Sequence, residues 1–179
     1  METIRYTTLD SPLGKVLVAG DPAGLSHISF LAGNSPVSPG AGWEVWENQE
    51  DGNLPHPLAE AVEQLAAYFR RDLRAFELPL APGGTPFQQG VWRALREIPY
   101  GETITYGELA QRIGQPTASR AVGAANGRNP LPIVVPCHRV IGQNGRLTGF
   151  RGGLHLKEGL LDLEQATGGS RVSQPSLFS

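Results

Sequence analysis

The stretch Asn129-Pro130-Leu131-Pro132-Ile133-Val134-Val135-Pro136-Cys137-His138-Arg139-Val140 constrains this chain more than any other, because three prolines brace the single cysteine and the histidine beside it. Prolines at 130, 132 and 136 fix φ at three positions and push the preceding residues toward extended conformations. The segment is therefore expected to be a stiff, extended support for Cys137. Stiffness suits a nucleophile, but a lone cysteine also serves as a small buried hydrophobe, and the residues alone leave both readings open. One cysteine cannot form an internal disulfide or a multi-cysteine zinc site. Four histidines scattered through the chain give no metal-ligand spacing, so no metal is expected. A free thiol suits a reducing compartment. With no basic flank leading into an apolar run, and no stretch near the roughly 18 apolar residues of a membrane helix, a cytoplasmic protein is expected.

The net charge of −2 argues weakly against nucleic-acid binding, but its distribution reverses that. Residues 1–85 carry five Lys/Arg against eleven Asp/Glu, residues 86–157 nine against three, and residues 158–179 one against three. A basic middle on an acidic chain fits a DNA-facing part, with a solvated basic surface as the plainer alternative.

Residues 3–9, 15–19 and a run ending at Phe30 are β-prone and joined by turn signals, which predicts an antiparallel meander. Residues 33–53, rich in Gly, Pro and polar groups, are expected to form a long surface loop anchored by Trp43 and Trp46. Leu58, Val62, Leu65 and Phe69 recur at helical spacing over 57–70 and predict a helix covering the sheet. The Pro/Gly cluster of residues 81–85 predicts a linker between a domain at 1–80 and a second at 86–167. Thr85 is expected to cap a helix with Pro86 at its first position and Phe87, Val91, Trp92 and Leu95 on its apolar stripe.

Residues 105–113 and 117–126 then predict two short helices around a Gly-Gln-Pro turn, the second capped by Thr117. This is the helix-turn-helix pattern, although many helical hairpins bind nothing. The second helix is slim: Ala118, Ser119, Ala121, Gly123, Ala124 and Ala125 leave Arg120 as its one long basic side chain. It lacks the several long polar groups of a major-groove reader. Gly142-Gln143-Asn144-Gly145 predicts a hairpin between strands at 138–141 and 146–149. A last helix is expected over 153–166, with Lys157 and Glu164 on one face two turns apart; taken alone, each reads as an ordinary solvated charge. Residues 168–179 lack periodicity and are expected to be a disordered tail.

The sequence Pro136-Cys137-His138-Arg139-Val140, with Asn129-Pro130 upstream and Thr85-Pro86-Phe87-Gln88-Gln89 and Val91-Trp92 before it, resembles the O6-alkylguanine-DNA alkyltransferase family. The resemblance is specific over residues 85–165 and looser over 1–80. It implies an α+β fold: an N-terminal antiparallel sheet with a helix, ribonuclease H-like, and a C-terminal helix-turn-helix, winged-helix-like alkyltransferase domain. It implies direct-reversal repair, in which Cys137 takes an alkyl group from guanine O6, with O4 of thymine as a further target. The thioether has no easy hydrolytic exit, so each molecule acts once.

The same resemblance assigns roles. Glu164 orients His138, which reaches Cys137 through a water, since neighbours in an extended segment point apart. Tyr106 donates near guanine N3, and Lys157 lies near that tyrosine and the cysteine. Arg120 fills the space of the rotated nucleotide, and Tyr106 crowds the phosphate. Thr117, Ser119 and Ala121 join them against the minor groove of double-stranded DNA, while Asn129 is the hinge to the cysteine loop. The pocket is expected from Pro132, Val140, Phe150, Arg151 and Trp92, with the carbonyls of Cys137 and Val140 accepting from the guanine 2-amino group. Arg128 stands where a small residue precedes the hinge, and Arg151 occupies a rim position held by a smaller residue in some relatives, which narrows the pocket. A non-repairing lesion sensor is the main alternative, opposed by the presence of Cys137. A transcriptional regulator is opposed by the slim helix and the lack of a dimerisation segment, and a monomer is expected. A thiol hydrolase would turn over repeatedly. Finally, Gln174, Leu177 and Phe178 resemble the short motif by which bacterial DNA-processing proteins dock on the polymerase sliding clamp.

Overall fold

The structure is a computed structural model and describes residues 2–34, 36–46, 57–150 and 152–165. The expectations for Arg151, for the tail 168–179 with Gln174, Leu177 and Phe178, and for part of the 33–53 loop lie outside these residues. Contacts divide the chain into two compact units, Met1–Gly83 and Gly84–Ser179.

In the first unit, β1 (Arg5–Leu9), β2 (Val16–Asp21) and β3 (Gly24–Phe30) form the expected meander. Ser11 and Gly14 close the first turn by reciprocal backbone hydrogen bonds at 3.1 and 3.0 Å. The loop after β3 is not wholly irregular: β4 (Glu44–Val45) pairs parallel to β1, giving the order β3-β2-β1-β4. A two-residue strand is too short to show alternation, so the sequence carried no sign of it. Beside it, the Trp43 ring lies 4.9 Å from His27 and 6.3 Å from Tyr6, centre to centre. The helix α1 (Leu58–Phe69) buries Leu58, Ala61, Leu65, Tyr68 and Phe69, a single stripe at helical spacing.

In the second unit, α2 (Pro86–Leu95) opens with a full capping box: Gln88 N–H donates to Thr85 Oγ1 at 3.1 Å and Thr85 N–H to Gln88 Oε1 at 3.0 Å. β5 (Ile104–Thr105) leads into α3 (Tyr106–Arg112), where the Thr105 hydroxyl accepts from Glu108 N–H. α3 ends in a Schellman motif, with Gln115 N–H to Ala110 O at 2.9 Å, Gly114 N–H to Gln111 O at 3.0 Å, and Gly114 at φ +76. That left-handed residue reverses the chain into α4 (Ser119–Gly127). Thr117 does not cap α4. Pro116 and Thr117 sit inside a turn closed by Ala118 N–H to Gln115 O at 2.9 Å, so Ala118 occupies the cap position with no side-chain hydrogen bond.

Two further expectations fail at the cysteine segment. It is coiled rather than extended: Val135 N–H returns to Leu131 O at 2.9 Å and Cys137 N–H to Val135 O at 2.8 Å. With Pro136 at φ −81 and ψ 65 the latter is an inverse γ-turn. Cys137–Arg139 continue as one 3₁₀ turn. This coiling consumes the residues expected as a strand, leaving only β6 (Val140–Ile141), which pairs parallel with β5. Residues 146–149 form no ladder with it, so the hairpin is absent; the Gly142–Gly145 turn itself is present, closed at 2.9 Å. Ile141, Leu147 and Leu161 pack together under Leu154, with α5 (Leu154–Gln165) supplying the last two.

Candidate active site

Cys137 sits on the 3₁₀ turn, and the backbone just before it is strained. Ile133 has φ +77, which a β-branched residue adopts only where its surroundings compel it. Asn129 supplies part of that compulsion: its Nδ2 donates to Val135 O at 2.8 Å while its Oδ1 accepts Leu131 N–H at 2.9 Å. One buried amide thus staples both ends of the coil that carries the cysteine. Leu131, Ile133, Val134 and Val135 supply the rest by burying their side chains.

His138, Lys157 and Glu164 are each at 0% exposure, so neither charge is a solvated one. His138 Nε2 lies 2.6 Å from Glu164 Oε2. Arg139 grips the same carboxylate with Nε at 2.8 Å and Nη2 at 3.1 Å, and donates from Nη1 to Ile98 O at 2.7 Å. Gly101 N–H adds a fourth donor at 3.2 Å. Burial would push the Glu164 carboxyl up, but His138 and the Arg139 guanidinium more than reverse it and hold the group well below the usual carboxylate range. For His138, burial outweighs the pull of Glu164 and lowers its pKa below 6.5. The imidazole is therefore neutral at pH 7. Facing an ionised acceptor, it must carry its one proton on Nε2, and Nδ1 is left as a bare base. That Nδ1 is buried with no protein hydrogen-bond partner.

Lys157, in the first turn of α5, donates to Val140 O at 2.6 Å and Thr148 O at 2.7 Å. Burial lowers its pKa to about 8, against an opposing pull from Cys137. The Tyr106 hydroxyl donates to Thr148 O at 3.2 Å, and Lys157 Nζ stands 5.9 Å from the centre of the Tyr106 ring. Burial raises the Tyr106 pKa above 10, the charge of Cys137 adds to this, and hydrogen bonds from the Thr148 and Asn126 side chains oppose it. Burial likewise pushes the Cys137 thiol up, while Asn129 and the Lys157 charge favour its thiolate. A buried thiol with a hydrogen-bond donor, a cation and a neutral imidazole around it is equipped to ionise when a substrate arrives.

The fold thus gathers Cys137, His138, Glu164, Lys157, Tyr106 and Asn129 around one point. Val140 is buried and contributes its carbonyl to Lys157. The Cys137 carbonyl accepts Val140 N–H. Pro132 and Phe150 are half-buried. Trp92 has a scaffold contact, its indole N–H donating to Ala125 O at 2.9 Å and so tying α2 to α4. Thr117, Ser119, Arg120 and Ala121 lie apart from the cysteine cluster in sequence and are all exposed, while α4 buries Val122, Ala125 and Asn126. Two residues escaped the sequence reading. Arg139 stands inside the Pro136–Val140 motif with no role of its own there, although an arginine following a histidine in an apolar segment is itself a sign of a buried partner. Asn126 breaks an otherwise apolar helix face, which was the signal for it. Among the described residues no group of three or more His, Cys, Asp or Glu side chains is placed to hold a metal, and no helix is long and apolar enough to cross a membrane.

Two family descriptions match the chain: "6-O-methylguanine DNA methyltransferase, ribonuclease-like domain" over residues 4–82, and "6-O-methylguanine DNA methyltransferase, DNA binding domain" over residues 86–166. A methylated-DNA--protein-cysteine methyltransferase of Methanosarcina acetivorans is 53% identical, covering 89% of this chain and 97% of its own. One of Mycolicibacterium paratuberculosis is 50% identical over 90% and 93%. The crystal structure of Mycobacterium tuberculosis OGT in complex with DNA superposes with a TM-score of 0.80 at 46% identity, covering 90% of this chain and 93% of the other. With its α+β architecture, its buried cysteine cluster and both halves matched, the chain belongs to the 6-O-methylguanine DNA methyltransferase family.

Proposed function

We propose that this protein repairs DNA by direct reversal, Cys137 accepting the alkyl group of an O6-alkylguanine once and irreversibly. One observation carries the assignment of roles: a buried thiol beside a neutral imidazole whose Nε2–H is pinned by Glu164 and whose Nδ1 is unpartnered. A water between Sγ and Nδ1 completes the relay, taking the thiol proton to His138. The imidazolium so formed is stabilised by Glu164, in the logic of a catalytic triad. Asn129 and Lys157 favour the thiolate. The sulfur pair then forms the S–C bond as the C–O6 bond breaks, and Tyr106 donates a proton at N3 of the departing guanine. No cofactor takes part in this sequence. The carbonyls of Cys137 and Val140 each hold one donor already, and their second lone pairs are free to accept the guanine 2-amino group.

The reacting carbon is out of reach in stacked DNA, so the nucleotide must be rotated out, at a cost of a few kcal/mol. The exposed side of α4, with Ser119, Ala121 and Ala124 around Arg120, suits close approach to the minor groove. There Arg120 fills the vacated stack, and the protein acts as a monomer. The decisive experiment mixes protein with O6-methylguanine DNA and weighs the intact chain. One methyl group on Cys137, absent in Cys137→Ala while lesion binding persists, is the expected result; an unmodified mass with tight binding would make the protein a sensor instead.

A finer proposal concerns Gln174, Leu177 and Phe178, which lie outside the described residues. A polar anchor three residues before Leu-Phe suits insertion of two apolar side chains into a clamp groove, with an affinity on the order of micromolar. Titration of purified clamp with the intact chain and with the Leu177→Ala, Phe178→Ala double variant tests it. Equal binding, or none by either, ends the idea.

A further inference from the structure

We propose that Asn126 is a positioning residue for the transfer step: from the buried side of α4 its amide N–H donates to the Tyr106 hydroxyl, turning the Tyr106 O–H toward the purine and holding the phenolate left behind. This rests on the proton-donor role of Tyr106 proposed above. The side of α4 that bears Asn126 faces the Tyr106 ring: a Cβ at Gly123, one turn earlier, would stand 3.8 Å from Tyr106 Cδ1. Asn126 is 2% exposed and shares the buried side of the helix with Val122 and Ala125. Burial raises the Tyr106 pKa and the charge of Cys137 adds to this, while hydrogen bonding by the Thr148 and Asn126 side chains pulls the other way, the sense in which an Asn126 N–H would hold the ionised form. Lys157 is the cation facing the same ring.

The amide oxygen supplies the second observation. Asn126 Oδ1 is buried with no hydrogen-bond partner, and an unsatisfied buried acceptor is a cost that native structures rarely carry without reason. An amide rotated the other way would place that oxygen against the Tyr106 hydroxyl and capture its proton. The orientation present offers N–H instead, which leaves the O–H free to donate. At rest it goes to Thr148 O at 3.2 Å. That carbonyl also accepts from Lys157 at 2.7 Å, so it stays satisfied when the O–H turns away. In the reaction, the Cys137 Sγ–C bond forms, the C–O6 pair withdraws into the purine, and the Tyr106 proton goes to N3. The phenolate, held by Asn126, regains a proton from water after the repaired base leaves.

Single-turnover transfer is measured for the full chain, Asn126→Leu, Tyr106→Phe and the double variant. The substrates are duplexes carrying O6-methylguanine or its 3-deaza analogue, which has no N3 to protonate. Asn126→Leu is expected to slow transfer from O6-methylguanine about tenfold, the value of one hydrogen bond, with lesion binding within about twofold. It should add no loss in the Tyr106→Phe background and none on the 3-deaza duplex. An equal loss in that background or on that duplex marks a packing role and overturns the inference, as does no loss anywhere. If Tyr106→Phe itself transfers at the full rate, the donor role of Tyr106 has failed first, and the inference falls with it. Should Asn126→Leu not fold, Asn126→Ser takes its place, read by ¹⁹F titration of 3-fluorotyrosine placed at position 106. There the amide's loss must raise the apparent pKa, and an unchanged value overturns the inference.

Discussion

The two units bury different things. In Met1–Gly83 the described core is apolar, from Val16, Leu17, Val18 and Leu25 to Leu58, Leu65 and Tyr68, and Ser29 is its one buried polar residue. In Gly84–Ser179 an apolar core is joined by buried Asn126, Asn129, His138, Arg139, Lys157 and Glu164. Burying charge is expensive unless each ion is paired and hydrogen-bonded, and a well-packed apolar cluster of equal volume is often as stable or more so. The second unit therefore carries its polar cluster for chemistry. Its geometry supports this, since among the described residues the one buried ring nitrogen without a hydrogen-bond partner, His138 Nδ1, belongs to the residue beside the thiol.

The comparison breaks most visibly at Glu164. Glu164→Ala leaves Arg139 and His138 without their shared carboxylate, and urea denaturation should show a loss of about 3–5 kcal/mol together with loss of methyl transfer. The wild type should also lose stability in acid. Glu164 and His138 both have folded pKa values below their ordinary ones, so the unfolded chain binds more protons. Their contribution is complete above about pH 6.5, declines as pH falls through the His138 range, and declines again below about 4.5. Glu164→Ala should lack the lower step. A variant as stable as wild type would mean that the polar cluster contributes nothing to the fold.

Leu65→Ala is the apolar counterpart. It should cost about 2–5 kcal/mol by opening a cavity under α1, yet leave the single-turnover rate constant of the folded fraction unchanged. A changed rate constant would show that the first unit's core bears on the chemistry. Lys157→Met sharpens the contrast further. With a folded pKa of about 8 against 10.5, the wild type should gain stability as pH rises from 8 to 10.5, by up to about 3 kcal/mol. Lys157→Met should lack that gain, so the difference between the two denaturation curves isolates it, and parallel curves would put Lys157 in a more solvated setting than its burial indicates. Arg120→Ala should have the smallest effect on stability, within about 0.5 kcal/mol as for exposed sites generally. It should slow repair of duplex DNA more than of single strands, where less stacking is lost. Equal slowing of both would remove its gap-filling role.

Much of this architecture was legible from local signals. The meander, the α1 stripe, the Thr85 cap with Pro86, and the two short helices around Gly114 each depend on residues within a turn or two of one another, and each is present. The cysteine segment was not legible in the same way. Its prolines announced stiffness, but whether a stiff chain runs straight or coils depends on Asn129 reaching Val135 and on the burial of Ile133 at φ +77, and both require the surrounding core. The hairpin at 142–145 failed for the same reason: its turn formed locally, but its strand was claimed by the 3₁₀ turn and by parallel pairing with β5, thirty-six residues away in sequence. Sequence alone determined that Cys137 and His138 adjoin, and resemblance nominated Glu164. Only the tertiary structure could bring Arg139 onto the same carboxylate and bury Asn126 within α4. Polarity in a sequence states what a side chain can donate or accept, whereas burial decides whether it must find a partner, and burial is a property of the whole fold.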